Sequence, residues 1–311
     1  MFTVIRKRKT RDCTIIKRGI NMALLTVFTL TYNRAYCLNK CYESLLRQTS
    51  KDFEWLIIDD GSTDNTKEIV EGWIKENHIP ISYIYKKNGG MHSGYNMAYD
   101  NIFTELAVCI DSDDYMTDNA VELITNFWKK NKTPQYAGIV GLDITADKNI
   151  IGKPLPNKKS MKVYDYYNRL NGSGDKKMIY RPELIRPFKS PEFEEERLFP
   201  TCYKYYMVDL NYDMLILNEP LCIVEYMEDG FTSNIMKSYK KNLNSYIYYR
   251  KFILTYPNAT VAHKFRFAIH YVAECLLNKE EHWLRNVPMK RFVVPAIIPG
   301  IFLYCYLSLR T

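Results

Sequence analysis

The chain has 311 residues, of which 47% are hydrophobic and 25% charged, and its formal net charge is +8. This composition excludes an intrinsically disordered protein, and the length suffices for one large domain or for one domain with an appendage. The eight cysteines form no CxxC pair and follow no cleavable signal peptide. They therefore argue against a disulfide framework or a zinc site and favour a reducing cytoplasm.

Positive charge is concentrated at the two ends of the chain. Residues 1–22 hold seven Lys and Arg against one Asp, and residues 226–311 hold twelve against five acids. Basic ends around a mildly acidic middle fit a catalytic body held on an anionic surface. A nucleic acid is the competing partner, but neither end carries a nucleic-acid-binding motif, so no nucleic acid is expected.

Residues 1–22 are interpreted as a basic N-terminal extension. They lack a long apolar run and so do not form a secretory signal. Met22 directly precedes the first strand-like run, which makes it a candidate for the native translation start. In that case the extension is not translated natively.

From residue 23 onward, predicted strands and helices alternate. Apolar runs of five to eight residues are separated by helical stretches of about fifteen, a pattern typical of parallel strands in an α/β sheet. The predicted strands are Leu24–Thr31, Glu54–Asp59, Ile81–Tyr85 and Leu106–Ile110. The predicted helices are Ala35–Gln48, Thr63–Glu76 and His92–Tyr99.

Beyond residue 150 the pattern becomes irregular. Ile151–Ser160 and Asn171–Asp175 are rich in Pro, Gly and Asn and are predicted to be loops. Two helices are predicted further on, Ser233–Tyr256 and Thr260–Lys279, the first with an apolar stripe along one face. The predicted organisation is an extension at 1–22, a catalytic domain at 23–230 and a helical region at 231–311.

The tail contains 18 residues without a charge, 292–309. That length is the lower limit for crossing a bilayer, but Pro295, Pro299 and Gly300 would break a straight helix. An in-plane or re-entrant membrane anchor is therefore favoured over a spanning helix or a docked soluble helix.

Polar clusters follow three of the predicted strands. They are Thr31-Tyr32-Asn33-Arg34, Asp59-Asp60-Gly61-Ser62 and Asp111-Ser112-Asp113-Asp114. Ligands of open α/β sheets bind at the carboxyl ends of the strands. The three clusters are therefore predicted to form one binding site.

The Asp111-Ser112-Asp113 triplet is a candidate metal site. Two carboxylates at a strand end suit Mg²⁺ or Mn²⁺, which take one or two carboxylates and fill the remaining positions with water and substrate phosphates. Such an ion would offset the charge of a diphosphate leaving group. A chance acidic triplet in a surface loop is the simpler alternative, and the position after a buried strand argues against it.

The other two clusters have plain structural alternatives. Ser62, Thr63 and Asp64 suit the start of the following helix, but a helix cap does not require two successive Asp before Gly61. The Thr31–Arg34 cluster either places a ring against a base and a cation near a phosphate, or is only a polar turn.

In combination, these segments resemble the inverting family 2 glycosyltransferases, which have the GT-A fold. The similarity lies in Phe28–Arg34, in Leu45–Thr49 followed by Asp52–Asp64 (DFEWLIIDDGSTD), and in Asn88–Ala98 (NGGMHSGYNMA) ahead of the Asp-Ser-Asp strand. It extends over about residues 24–230 and implies a mixed α/β sheet flanked by helices.

The resemblance implies roles for the residues of the site. Tyr32 and Asp60 correspond to nucleoside contacts, and Asp111 and Asp113 to ligands of the metal and diphosphate. The polar turn that contains His92 is interpreted as a donor-side element, with a core role as the alternative. The residues predicted to bind the nucleotide sugar are Thr31, Tyr32, Asn33, Arg34, Asp60, Gly90, His92, Asp111 and Ser112.

The family supplies its general base from the second half of the domain, often as the Asp of a Glu-Asp pair. The nearest equivalent here is Pro191–Pro200, which places Glu196 at the base position with Glu195 as the alternative. Glu in place of Asp is a departure from the family pattern. Crowded carboxylates raise the pKa of one another, which suits a base at neutral pH. Tyr226, Asp229 and Gly230 are assigned to a loop over the donor or acceptor.

The resemblance implies a hexosyltransferase that uses a UDP-sugar, with Mn²⁺ or Mg²⁺ as cofactor, in a single displacement. The expected acceptor is a lipid-linked or growing polysaccharide, at the cytoplasmic face of the cell membrane. A sugar nucleotidyltransferase is one alternative, although Thr31–Arg34 lacks the glycines of a phosphate loop. A non-catalytic protein that binds the membrane surface is the other.

Overall fold

The computed structural model describes residues 6–10, 13–17, 23–227 and 235–309. The chain divides into two compact units. The first unit comprises Met1–Lys189 and Lys204–Glu228, and the second comprises Ser190–Tyr203 and Asp229–Thr311.

The first unit is built on one mixed β-sheet. Its strands are β1 (Arg6–Thr10), β2 (Cys13–Lys17), β3 (Leu25–Thr31), β4 (Phe53–Asp59), β5 (Ile81–Lys86), β6 (Leu106–Cys109), β7 (Tyr115–Met116), β8 (Tyr136–Ile144), β9 (Ser160–Met161), β10 (Lys176–Tyr180) and β11 (Asp213–Ile223). They lie in the order β1-β2-β5-β4-β3-β6-β10-β8-β11-β7, and β9 pairs with β11. The α/β class predicted from the sequence is thus confirmed.

The parallel part of the sheet contains a reversal of strand order. The chain passes from β3 to β4 and β5 on one side and then returns to β6 on the other side of β3. Such a switch point leaves a crevice outside the carboxyl ends of the two central strands. The segments that follow β3 and β6 therefore border the same crevice.

Helices cover both faces of the sheet in the first unit. They are α1 (Leu38–Leu46), α2 (Thr66–Glu76), α3 (Met91–Asn101), α4 (Ala120–Asn131), α5 (Val163–Asn168), α6 (Pro182–Ile185) and α7 (Cys202–Asp209), which begins in the second unit. On one face, Tyr42 of α1 stacks on Trp73 of α2 with ring centroids 4.3 Å apart. On the other, Phe28 of β3 meets the edges of Tyr95 and Tyr99 of α3. Burial on both faces agrees with β3 itself, in which six of the seven residues are buried.

The second unit consists of short helices around a small core. They are α8 (Ile235–Lys240), α9 (Leu243–Thr255), α10 (Val261–Leu277), α11 (Lys290–Val293) and α12 (Ile297–Leu309). Arg250 of α9 and Glu274 of α10 form a buried ion pair with an N–O distance of 2.9 Å. In the ranges that the structure describes, no helix is long and apolar enough to cross a membrane.

The single helix predicted at Ser233–Tyr256 is wrong, because the described part of this segment forms two helices, α8 and α9. The break falls at Asn242. Its side-chain oxygen accepts hydrogen bonds from the backbone N–H groups of Arg197 and Leu198, at 2.7 and 2.8 Å. Its amide nitrogen donates to the carbonyl of Ser238. These contacts compete with continuous helix at this point.

Candidate functional site

The crevice between β3 and β6 brings two of the three predicted clusters together. Arg34 follows β3, and its Nη1 lies 3.2 Å from Oδ2 of Asp113, which follows β6. Both side chains remain about one-fifth exposed (18% and 19%), so the ion pair lies at the mouth of the crevice. A cation and a carboxylate are thus held side by side at the switch point.

The four residues 111–114, which follow β6 after Ile110 and are called the acidic turn below, differ in how deeply they are buried. The backbone N–H of Asp114 donates to the carbonyl of Asp111 at 3.0 Å, which folds the segment into a tight turn. Asp111 is exposed and Asp113 is half-buried, whereas Ser112 and Asp114 are buried. The carboxylate of Asp114 accepts a hydrogen bond from the backbone N–H of Glu225 at 3.2 Å. Only Asp111 and Asp113 therefore present carboxylates to a ligand.

Two charged residues that the sequence interpretation missed lie behind this turn. Lys177 of β10 and Asp143 of β8 are both buried, and Nζ of Lys177 lies 3.6 Å from Oδ1 of Asp143. Burial alone would lower the pKa of Lys177, but Asp143, Asp114 and Asp111 together raise it well above its usual value. Lys177 is therefore a fixed positive charge beneath the acidic turn.

A signal for this pair was present in the sequence. Asp143 interrupts the nine-residue apolar strand β8, all of whose residues are buried. A charge in such a strand requires a partner. The partner lies on a strand that is distant in sequence, so the pairing itself was not readable.

The pKa values of Asp111 and Asp114 in the acidic turn are raised above their usual range. Partial removal from water raises the pKa of Asp111, and Asp113 raises it further, while Lys177 and Arg34 act in the opposite direction. Burial raises the pKa of Asp114 to about 8, although Lys177 lowers it. A cation bound at the mouth of the crevice would relieve this repulsion between carboxylates.

Asp60, at the end of β4, holds the neighbouring turn rather than projecting into solvent. Its carboxylate accepts hydrogen bonds from Nζ of Lys86 and from the backbone N–H groups of Gly89 and Gly90, the latter two at 3.0 and 2.7 Å. Gly90 has a φ of 84°, a left-handed conformation that favours glycine. Asp60 therefore shapes the turn 87–90 that leads into α3.

Asn33 connects the segments that follow β3 and β4. Its backbone N–H donates to Oγ of Ser62 at 2.9 Å, and its side-chain oxygen accepts from the backbone N–H of Thr63 at 2.8 Å. Asp64 accepts from the backbone N–H of Ala35 at 3.1 Å. These contacts hold the turn that carries Tyr32, whose side chain is exposed to solvent (49%).

Thr31 and His92 lie deeper than the other predicted ligand contacts. Thr31 is the last residue of β3, and His92 is in the first turn of α3. Both side chains are buried in the first unit. Direct contact of either side chain with a donor therefore remains a prediction.

Asp111 and Asp113 fit a divalent cation of the hard type. Among the residues that the structure describes, no group of three or more His, Cys, Asp or Glu is arranged to hold a metal. Mg²⁺ and Mn²⁺ do not need such a group, since one or two carboxylates with water and substrate phosphate complete their coordination. Removal from water and, to a smaller degree, the neighbouring Asp113 raise the pKa of Asp111, and a bound divalent ion would offset both effects.

The predicted base residues belong to the second unit. Oε1 and Oε2 of Glu196 accept hydrogen bonds from the backbone N–H groups of Asn244 and Ser245, at 2.7 and 2.8 Å. Glu196 is buried and thus caps the start of α9. Glu195 is exposed and has a φ of 63°, a left-handed conformation that is uncommon for a residue with a side chain.

The loop assigned over the donor or acceptor is only partly described. Tyr226 is exposed at 65% and belongs to the first unit. Asp229 and Gly230 lie outside the described residues. Their assignment remains a prediction.

Sequence comparison connects this site with sugar transfer. The sequence model of the family described as "Glycosyl transferase family 2" matches residues 26–184, about half of the chain. Over 128 residues the chain is 33% identical to a chondroitin synthase of Pasteurella multocida. That stretch covers 41% of this chain and 13% of the synthase, so the chain spans a small part of this relative's length.

A second relative matches over more of its length. The chain is 25% identical over 231 residues to an uncharacterized glycosyltransferase of Haemophilus influenzae. The match covers 73% of this chain and 89% of that protein.

Solved structures share the fold. The S. aureus TarS fragment 1-349 in complex with UDP-GlcNAc has a TM-score of 0.57 at 21% identity, covering 91% of this chain and 81% of that one. The mannosyltransferase PcManGT from Pyrobaculum calidifontis, in complex with GDP-Man and Mn²⁺, has a TM-score of 0.53 at 13% identity, covering 92% and 88%. The GT-A fold expected from the sequence is thus confirmed.

Proposed function

Because the chain belongs to glycosyl transferase family 2, we propose that it moves a sugar from a nucleoside diphosphate sugar to an acceptor hydroxyl, with inversion at the anomeric carbon. The observation that carries this proposal is the Arg34–Asp113 pair, at 3.2 Å, across the switch point of the sheet. It sets a cation and two solvent-facing carboxylates at one crevice, which is the charge pattern needed for a diphosphate and its counter-ion.

The nucleoside half of the donor is proposed to lie against Tyr32 and the turn held by Asp60. Tyr32 has an exposed ring. The carboxylate of Asp60 fixes the backbone of Gly89 and Gly90 by accepting their N–H hydrogen bonds. A UDP-sugar is the favoured donor, supported by the UDP-GlcNAc complex of the structurally similar TarS. A GDP-sugar is the alternative, given the GDP-Man complex of PcManGT.

The metal proposed here is Mn²⁺ or Mg²⁺, held by Asp111 and Asp113 with Ser112 between them. When bound, such an ion supplies positive charge that stabilises the departing diphosphate. The chain adds two charges of its own. Arg34 stands at the mouth of the crevice, and the buried Lys177 lies beneath the acidic turn.

The transfer step is proposed to be a single displacement. A carboxylate removes the proton from the acceptor hydroxyl, and the oxygen forms a bond to the anomeric carbon as the bond to the phosphate oxygen breaks. The electron pair of that bond leaves with the nucleoside diphosphate. Arg34 pairs with this developing charge.

Glu195 is the better candidate for the proton acceptor, although the family alignment favoured Glu196. Both oxygens of Glu196 already accept backbone hydrogen bonds, whereas Glu195 is exposed. In this assignment Glu196 is a positioning residue that fixes the backbone next to the base.

The acceptor is proposed to be a lipid-linked or growing polysaccharide at the cytoplasmic face of the cell membrane. The similarity to a chondroitin synthase supports a polysaccharide. The excess of positive charge at both ends of the chain supports an anionic surface.

A donor screen tests the proposed function. The full chain is incubated with UDP- and GDP-sugars and Mn²⁺, and release of the nucleoside diphosphate is measured. At least one donor should be consumed, and Asp113→Asn should reduce turnover by at least about 100-fold. Asp147→Asn, at an exposed aspartate outside the turn 111–114, should keep wild-type turnover. Metal-dependent turnover that survives in Asp113→Asn would overturn the metal assignment.

A further inference from the structure

Helix α12 presents a continuous apolar face to the solvent. The exposed residues recur at intervals of three or four along the helix and the residues just before it, and none is charged. They are Val294 (53% exposed), Ile298 (69%), Ile301 (45%), Phe302 (72%), Tyr306 (48%) and Leu309 (87%). We call this set the apolar stripe. An exposed helix face normally carries polar residues, so the stripe requires an explanation.

The opposite face of α12 is fixed in the core of the second unit. Ala296, Gly300 and Leu307 are buried, and a Cβ added to Gly300 would lie 2.5 Å from Val272 of α10. Nζ of Lys240 donates to the carbonyl of Leu307 at 2.9 Å, which satisfies one carbonyl near the end of the helix. This close packing holds the orientation of α12, so the helix does not bury the stripe by rotating.

Positive charges border the stripe. Arg285, Lys290 and Arg291 are exposed, and no acidic residue occurs from His282 to Leu309. The exposed side chains of Leu284 and Met289 are interleaved with these cations. An apolar surface beside cations without acids complements an anionic lipid surface, which offers hydrocarbon and phosphate together.

We propose that the apolar stripe inserts into one leaflet of an anionic bilayer, with α12 lying in the plane of the membrane and Arg285, Lys290 and Arg291 against lipid phosphates. The in-plane orientation follows from the geometry, because the stripe runs along the side of a helix whose other side is packed on α10. The proposal identifies the membrane-binding surface, and it does not depend on the transfer reaction.

The test is co-sedimentation of the full chain with vesicles of phosphatidylcholine alone or with phosphatidylglycerol added. Wild-type protein should bind the phosphatidylglycerol vesicles. The double variant Ile298→Ser/Phe302→Ser should bind them at least about tenfold more weakly, because two large apolar side chains no longer enter the leaflet. Lys290→Gln/Arg291→Gln should weaken binding by about fivefold per charge, and only on anionic vesicles.

The matched control is Val261→Ser/Phe103→Ser. These two side chains are exposed to the same degree, 72% and 73%, but lie outside the stripe. The control should bind vesicles as the wild type does, and all variants should keep the wild-type circular dichroism spectrum. Equal vesicle binding by the stripe variant and the wild type would overturn the proposal. So would a self-association, seen by ultracentrifugation, that the stripe variant abolishes while neither protein binds vesicles.

A failure of this test is distinguishable from a failure of the proposed function. Release of nucleoside diphosphate from a soluble donor is measured without vesicles and depends on residues outside the apolar stripe. The stripe variant should retain that release even where its vesicle binding is lost.

Discussion

Asp111 is exposed and Asp113 is half-buried, whereas Asp114 and Asp143 are fully enclosed by the protein. A carboxylate that binds a cation must be reachable, and a carboxylate that shapes a turn need not be. Lys177 pairs with Asp143, and the charges of Asp114 and Asp111 also raise its pKa. The division of roles within this acidic group is therefore set by burial rather than by residue type.

Asp143 should make stability depend on pH. Burial raises the pKa of Asp143 from 3.8 to about 6, although Lys177 lowers it. Between these values the folded protein keeps a proton that the unfolded chain has released, so stability falls as the pH rises through about 4 to 6. Asp143→Asn lacks this titration. Relative to the wild type, it should gain about 1 kcal/mol in free energy of unfolding from pH 5 to pH 7.5.

Urea denaturation of both proteins at the two pH values measures this difference. Asp213→Asn, at a partly exposed aspartate, is a suitable control and should show no such gain. A constant difference between Asp143→Asn and the wild type at both pH values would contradict the raised pKa of Asp143.

Substitutions at Glu195 and Glu196 should have different effects, the first on catalysis and the second on stability. Glu196→Gln places an amide group where two backbone N–H groups require acceptors, so it should lower the free energy of unfolding by about 1–3 kcal/mol. Glu195→Gln should leave stability unchanged and reduce kcat by at least about 100-fold with little change in the donor KM. Thermal unfolding and steady-state kinetics give both quantities.

Glu194→Gln is the matched control, since Glu194 is exposed in the same acidic run. It should be neutral in both measurements. If Glu196→Gln loses kcat at unchanged stability while Glu195→Gln stays active, the base is Glu196, as the family alignment indicated.

At the scale of elements, the turn 87–90 depends on one buried carboxylate. Asp60→Asn would leave the buried Lys86 without its negative partner and weaken the hold on Gly89 and Gly90. Removing one partner of a buried pair should cost about 3–5 kcal/mol of unfolding free energy. The donor KM should also rise, because the turn lies beside the proposed nucleoside position.

Asp52→Asn provides the comparison for Asp60→Asn. Asp52 is one-third exposed (34%) and pairs with the exposed Lys129, so its loss should cost less than about 1 kcal/mol. Chemical denaturation of the two variants measures both effects. Equal stability of Asp60→Asn and Asp52→Asn would show that the Asp60 contacts do not hold the turn.

The elements differ in how far the sequence could predict them. The parallel strands β3 to β6 were predicted within one residue at each end, because their apolar runs report burial on both faces of a sheet. The break between α8 and α9 was not predicted. In the sequence, apolar residues recur at helical spacing on both sides of Asn242. The hydrogen bonds that end the helix there come from Arg197 and Leu198, which are distant in sequence.

The candidate site was also only partly predictable from the sequence. The clusters at the ends of β3, β4 and β6 were predictable, since the carboxyl ends of parallel strands meet at one edge. The Lys177–Asp143 pair was not, because it joins antiparallel neighbours whose order in the sheet is not encoded locally. Likewise, the sequence shows that Glu196 is acidic but not that its carboxylate caps α9.

At the scale of the whole molecule, the chain separates its chemistry into two compact units. The first carries the crevice, the acidic turn and the proposed nucleoside position. The second carries Glu195, Glu196 and the apolar stripe. The apolar tail was visible in the sequence, but only packing on α10 shows which of its faces remains exposed.

Binding of UDP measured by calorimetry, with and without Mn²⁺, tests the central claim most directly. We expect Mn²⁺ to strengthen UDP binding to the wild type and to Asp147→Asn by at least about tenfold, and to have no effect in Asp113→Asn. A wild-type protein that binds neither UDP nor GDP in the presence of Mn²⁺, or an Asp113→Asn variant that keeps the full Mn²⁺ effect, would contradict a metal-assisted donor site at the end of β6.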